Sequence, residues 1–179
     1  MENYFETKKR FFIEGSALNA ALNADDETSP SIIRDLKVPY LTYGISAEAD
    51  VFARDIEISE DGVAFSIRLR GLEDMSISMH LTGTFNVYNA LCAITACGVL
   101  NIPVTAMQQG LKTVKVKGRV EPVPMPGDFT LLIDYAHNAV SMQSILTTLR
   151  AYNPKRLICM FGAGGNRPKV RRFEMGEVS

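Results

Sequence analysis

GRVEPVPMPGDFTLLIDYAH, residues 118–137, divides the chain in two. A basic residue, Arg119, follows a glycine, and Pro122, Pro124 and Pro126 crowd the next few positions. A turn at Gly127-Asp128 leads into an apolar strand over 129–133, which ends in Asp134 and His137. Proline and glycine crowding between two periodic regions marks a domain boundary. An apolar run that ends in polar residues is how a strand of an open α/β sheet delivers side chains to a crevice. The expectation is a hinge with chemistry on both sides, Arg119 before it and Asp134 and His137 after it.

Beyond the hinge the pattern reads as strand (129–134), helix (140–152) and strand (156–161). Met142, Ile145, Leu146 and Leu149 follow the i, i+3, i+4, i+7 rule of a helix with one buried face. This is the βαβ opening of a second doubly wound domain. A glycine loop, GAGGNR at 162–167, comes next, without the spacing of a dinucleotide fingerprint; no GxxxxGK[ST] phosphate loop occurs in the sequence. Arg167, Lys169, Arg171 and Arg172 follow or close that loop. They read either as an anion site or as a solvated, basic helix start.

Before the hinge, GTFNVYNALCAITACGVLNIP (83–103) is a helix with Asn86 and Asn89 on one face of its first turns. The two amides either tie down the preceding loop or read a base edge, since each offers a donor and an acceptor. Ala90, Ala93, Ala96 and Gly98 suggest close packing on a sheet, with backbone approach offsetting the roughly 1 kcal/mol that glycine costs a helix. A short helix over 104–111 follows. Upstream, 50–82 alternates as three strands of an antiparallel meander, with His80 read as structural. Strand (20–22), helix (31–36) and strand (40–43) make one βαβ unit. Asp25 and Asp26 at the first strand's end are either ligand-holding or a turn and capping signal. The N-terminal helix, 2–12, places Tyr4, Phe5, Phe11 and Phe12 on one face, and Lys8 completes that stripe. Lys8 either snorkels over apolar surface or is desolvated in a site and made reactive.

The 179 residues, 46% apolar and 22% charged with a formal charge of −1, suit one ordinary domain or two small ones. Such near-neutrality gives no reason to expect nucleic acid or an anionic membrane as partner. No apolar run approaches the roughly 20 residues that span a bilayer. The charged, aromatic start has no small-residue cleavage site. Cys92, Cys97 and Cys159 lack metal-like spacing and read as buried free thiols of a reducing compartment, the cytoplasm.

Taken together, MENYFETKKRFF, LNADDE, GTFNVYNALCAI, GRVE, DYAHNAVSM and FGAGGNRPKVRRFEMGE resemble the Mur ligase family, in its peptidoglycan branch. The resemblance implies an α/β fold in two pieces. Residues 1–122 would be the C-terminal part of the central ATP-binding domain, a parallel-sheet βαβ unit plus an antiparallel meander. Residues 123–179 would begin a Rossmann-like C-terminal domain. It also implies an ATP-dependent acid–amino acid ligase that joins an amino acid to a UDP-N-acetylmuramoyl-peptide through an acyl phosphate. ATP and Mg2+ would be its cofactors, and a cytoplasmic monomer its form.

By the same resemblance Lys8 is the lysine that becomes carbamylated and helps bind Mg2+. Asn86 and Asn89 lie beside the adenine, Arg119 reaches the ATP phosphates, and Asp134 is near the ribose. His137 lies near the nucleotide at the domain interface, and Arg167 belongs to the basic second glycine loop. The sequence departs from the family in having DYAHNAVSM where DYAHTPDAL is commoner and GAGGNR where GCGGDR is commoner. It also lacks the GKT loop, so the expectation is that this polypeptide alone does not ligate. Rival expectations are a cyanophycin- or folylpolyglutamate-synthetase-like ligase and a non-catalytic nucleotide- or partner-binding module.

Overall fold

A computed structural model of the chain describes residues 2–15, 17–46, 48–69, 74–164 and 169–179. Five strands form one sheet in the order β1-β2-β3-β4-β5. β1 (Ala20–Asn23) and β2 (Tyr40–Gly44) are parallel, with Ala20 opposite Tyr40, and α2 (Ser29–Asp35) connects them. β2 then pairs in parallel with the start of β3 (Val51–Ser59). β4 (Gly62–Leu69) and β5 (Met75–Met79) continue antiparallel. The expected βαβ unit and meander are therefore both present. Their fusion into a single sheet through the β2–β3 ladder was not legible in the local pattern. Gly62 closes the β3–β4 hairpin at φ 144°, where a Cβ would lie 2.1 Å from the Met79 carbonyl oxygen, so only glycine fits.

α3 (Thr84–Val99) packs across β1, β2 and β3, and α4 (Val104–Thr113) packs against β5. Their core joins Val51, Ala53, Val63, Phe65, Ile67 and Ile77 to Val87, Leu91, Ile94 and Met107. The small-residue expectation for α3 is corrected. Its buried face is Val87, Ala90, Leu91, Ile94 and Thr95, whereas Ala93 and Ala96 are exposed and a Cβ on Gly98 would meet nothing within 4 Å. Large apolar side chains at helical spacing bury more area than alanines, and they set the rotation of the helix. Gly98 instead belongs to the helix end. Asn101, at φ 57°, donates to the Gly98 carbonyl and Ile102 to the Cys97 carbonyl, which is a Schellman closure.

α1 (Glu2–Ile13) and α2 cover Ala20 and Leu22 of β1, with Ile32, Phe5 and Phe12 packed on them. The predicted aromatic stripe of α1 splits. Phe5 and Phe12 turn inward, while Tyr4 and Phe11 remain 65% and 59% exposed. Consecutive residues diverge by about 100° around a helix, so two adjacent columns cannot share one narrow seam. Lys9 completes the inner column and pairs with Asp35. Lys8 stands in the outer column with its ammonium 4.5 Å from the Tyr4 ring centroid.

β6 (Glu121–Val123) and β7 (Leu131–Ile133) form an antiparallel pair, Pro122 opposite Leu132. α5 (Ala139–Arg150) starts at a capping box of Asn138 and Ser141, and it packs on α6 (Val170–Val178) through Met142, Leu146 and Met175. The expected second βαβ ladder is absent among the described residues. Strand 129–133 forms over Leu131–Ile133 but pairs with β6, and 156–161 forms no strand. Ile158 and Met160 are 72% and 97% exposed. Apolar alternation reports what a strand would bury, but a strand also needs a hydrogen-bonded neighbour. Cys159 is exposed, and Cys92 and Cys97 are half-buried, so the buried-thiol expectation holds for none of them fully. His80 lies one residue past β5 and is exposed rather than structural. No helix among the described residues is long and apolar enough to cross a membrane.

Candidate functional site

Three of the expected residues meet at the hinge. Asp134, just past β7, accepts the Val120 N–H on Oδ2 at 2.9 Å and the Ala136 N–H on Oδ1 at 2.7 Å. Val120 has φ 48°, an uncommon conformation for a β-branched residue. Gly118, at φ 66°, donates to the Glu121 carboxylate at 2.6 Å. The backbone around Arg119 is thus held by carboxylates on either side. The Arg119 guanidinium lies 5.2 Å from the centroid of the Tyr135 ring, and the His137 ring is 5.1 Å from the same tyrosine. His137 Nδ1 is 3.0 Å from the Tyr135 carbonyl oxygen.

Beside this stack lies a recess of about 150 Å³ lined by Tyr135, His137, Gly162, Ala163, Gly164, Arg171 and Arg172. Two arginines, an imidazole and a loop of glycines and one alanine face one small volume. That donor set suits an anion such as a phosphate. Arg167 lies outside the described residues. Its neighbours Arg171 and Arg172, on α6, take the basic side of the recess.

The asparagine pair is at the start of α3. Asn86 is buried, and its amide donates to the Thr82 carbonyl at 2.8 Å, while its oxygen accepts from Asn89 at 3.1 Å. The loop-tying reading holds for Asn86. Asn89 is exposed, and its amide is steered by Asn86.

Asp25 sits beyond the carboxyl end of β1, where parallel sheets place ligand crevices. Its Oδ2 accepts the N–H groups of Ile45 at 2.7 Å and Ser46 at 3.2 Å, and the Tyr88 hydroxyl at 2.9 Å. Burial pushes this carboxyl up, but the donors from Ile45, Ser46 and Tyr88 together outweigh it and hold the acid below the usual carboxylate range. Asp26 accepts from the Thr28 hydroxyl at 2.6 Å and its N–H at 2.8 Å; those two bonds, with the nearby Lys8 charge, lower its acid too. The pair is therefore divided: Asp26 makes the turn into α2, and Asp25 clamps two strand ends to α3. Lys8 is exposed on this same side, close enough to Asp26 to act on it electrostatically.

Tyr88, Tyr135 and Tyr152 were not singled out in the sequence. The first two lie inside motifs that were, between the asparagines and within DYAH, and only the fold shows that their hydroxyl or ring carries the contacts. A wider groove of about 660 Å³, lined by Thr42, Asp50, Phe52, Arg54 and Arg68 among others, also went unread. Arg54 there is paired with Asp74, so its charge is already engaged.

A mixed α/β sheet covered by helices, followed by a hairpin and a helix pair that carry a basic recess, is the class these features define. The chain matches the Mur ligase middle domain over residues 1–97 and the Mur ligase glutamate ligase domain over 118–179. It belongs to the Mur ligase family. A UDP-N-acetylmuramoyl-L-alanyl-D-glutamate–2,6-diaminopimelate ligase of Caldanaerobacter subterraneus subsp. tengcongensis is 41% identical over 179 residues, covering 100% of this chain and 37% of that protein. The protein of the same name in Alkaliphilus oremlandii is 35% identical over 183 residues, again covering 100% of this chain and 37% of that protein. A solved structure of a ligase with that name superposes with a TM-score of 0.71 at 26% identity, over 99% of this chain and 37% of that one. The chain thus spans a little over a third of the relatives it matches.

Proposed function

We propose that this chain is part of an ATP-dependent ligase that joins an amino acid to a UDP-N-acetylmuramoyl-peptide during peptidoglycan synthesis, in the cytoplasm and as a monomer. The supporting observation is the convergence of His137, Arg171 and Arg172 on one recess, with Arg119 stacked on its Tyr135 wall, inside the segment that matches the Mur ligase glutamate ligase domain. The domain assignment, 1–122 and 123–179, puts the hairpin of β6 and β7 at the joint between them.

ATP, when bound, would supply the phosphoryl group that converts the substrate carboxylate to an acyl phosphate with release of ADP, so that attack of the incoming amine on the acyl carbon forms the amide and expels phosphate. The chain's own residues bind and orient. Arg119, whose turn is held by Asp134 and which stacks against Tyr135, neutralises phosphate oxygens, with Arg171 and Arg172 lining the recess and Arg167 assigned to the same role from its place in the glycine-loop sequence. Asp134 keeps the hinge turn in place and lies on the ribose side. Asn89, aimed by Asn86, meets the adenine edge. His137 borders the nucleotide at the joint. Fixing such donors before the reaction is what lowers the cost of charge development at a phosphoryl group.

Lys8 is the candidate carbamate. Its exposure admits carbon dioxide, and the neighbouring Asp26 offers the kind of partner a metal would bridge. Among the described residues, however, no group of three or more His, Cys, Asp or Glu side chains is arranged to hold a metal ion. The described residues alone do not build a Mg2+ site.

The test is titration of the chain with ADP and, separately, adenosine, followed by amide and side-chain NMR. ADP is expected to shift Tyr135, His137 and Gly162–164 signals, and Arg119→Ala to weaken ADP about tenfold while sparing adenosine. Shifts confined to the 660 Å³ groove would overturn the assignment.

A further inference from the structure

The segment after the hinge touches the sheet unit at a second place, away from the hinge itself. Tyr152 lies two residues past α5, where Asn153 at φ 51° and then Pro154 end the helix. Its hydroxyl reaches out of the C-terminal unit to the other one. It donates to the Ser59 carbonyl at 3.0 Å, at the end of β3, and meets the Thr82 hydroxyl. Thr82 is buried and donates to the same Ser59 carbonyl at 2.6 Å. The Thr82 carbonyl, in turn, accepts the Asn86 amide, and the Asn86 oxygen accepts Asn89.

We infer that Tyr152 is a positioning residue, a latch that fixes the C-terminal unit against the start of α3. It sets where the recess by Tyr135 and His137 lies relative to Asn89. Three features carry this. The contact is polar and small, of a kind that opens and closes rather than welding two cores together. Its acceptor, Ser59, sits beside the hairpin turn whose geometry Gly62 fixes, so the anchor is rigid. Its partner Thr82 is one hydrogen bond from Asn86 and two from Asn89, so engagement at Tyr152 is communicated to the asparagine pair through contiguous bonds. The latch gains its meaning for catalysis from the proposed nucleotide reading, yet its existence is tested without any nucleotide.

The experiment is 15N relaxation of the nucleotide-free 179-residue chain, comparing the native sequence with Tyr152→Phe and with Thr82→Val. Both substitutions remove a hydroxyl and preserve shape. The native chain is expected to tumble as one body. In each variant the amides of α5 and α6 should report a shorter correlation time than those of β3 and β4, because the latched-to-open ratio falls about fivefold with the loss of one hydrogen bond. The Asn89 side-chain amide signal should move in both variants. Unchanged shifts for Ile67 and Leu91 verify that the main core is folded. Native amides that already tumble as two bodies would overturn the latch, and so would variants that still tumble as one. A chain that latches as expected but shows no ADP shifts would retain the latch and sink the nucleotide reading instead.

Discussion

Asp134 Oδ2 holds the backbone N–H of Val120 at 2.9 Å, across 14 residues of sequence and the whole β6–β7 hairpin. The same carboxylate caps Ala136 through its other oxygen. A side chain expected to serve a ligand therefore also shapes the turn that carries Arg119. Asp134→Ala would leave two N–H groups without their acceptor. The expected cost is about 1–3 kcal/mol of local stability, read as faster amide exchange at Val120 and Ala136 with the β3–β5 amides unaffected.

Val120 itself is strained at φ 48°. Replacing a β-branched residue there by glycine relieves a backbone cost of order 1–2 kcal/mol and offsets the usual entropic penalty of glycine. Val120→Gly is expected to leave the thermal midpoint unchanged or raise it. A fall as large as that seen for a typical buried Val→Gly change would show that the side chain's packing matters more than its torsion.

Gly62→Ala should be severe. The added methyl would collide with the Met79 carbonyl oxygen at 2.1 Å, and φ 144° excludes it independently. Loss of about 2 kcal/mol or more is expected by chemical denaturation. Gly98→Ala, in open space near the end of α3, should be neutral or stabilising by up to about 1 kcal/mol.

Acid should loosen the sheet at the carboxyl end of β1. The Asp25 and Asp26 acids are both lowered on folding. A lowered carboxyl contributes stability above its unfolded pKa and loses that contribution as pH falls through the folded one. Unfolding free energy is therefore expected to decline below the usual carboxylate range. Asp25→Asn should lower stability near neutrality and flatten that acid limb. An Asp25→Asn variant with the full native acid slope would mean that other carboxylates carry it.

Lys8 and Lys9 are adjacent and should behave oppositely. Lys9 packs in the inner column and pairs with Asp35, so Lys9→Ala is expected to destabilise by about 1 kcal/mol. Lys8→Ala, on the exposed column, should stay within about 0.5 kcal/mol. If Lys8 is the carbamate, 13C-bicarbonate should give a carbamate resonance in the native chain that Lys8→Ala abolishes.

Local pattern alone was enough for the element list up to the hinge, because period 2 and period 3.6 are properties of a chain and its nearest neighbours. It placed the βαβ unit, the meander, α4 and the proline-rich hinge, and its motifs carried the family. What it could not supply was anything decided by distant contact. The β2–β3 ladder that fuses βαβ and meander depends on hydrogen bonds between segments whose own patterns are complete without it. The rotation of α1, which sends Lys9 inward and Lys8 outward, is set by which column finds Ala20 and Leu22. Strand 156–161 has the composition of a strand and no neighbour to pair with among the described residues, so composition misled. The site divides in the same way. Arg119, Asp134 and His137 were legible as residue types at a hinge. That Tyr135 gathers them, that Asp25 is a clamp on Tyr88, and that Tyr152 ties one unit to the other are facts of three-dimensional proximity, which one-dimensional periodicity does not encode.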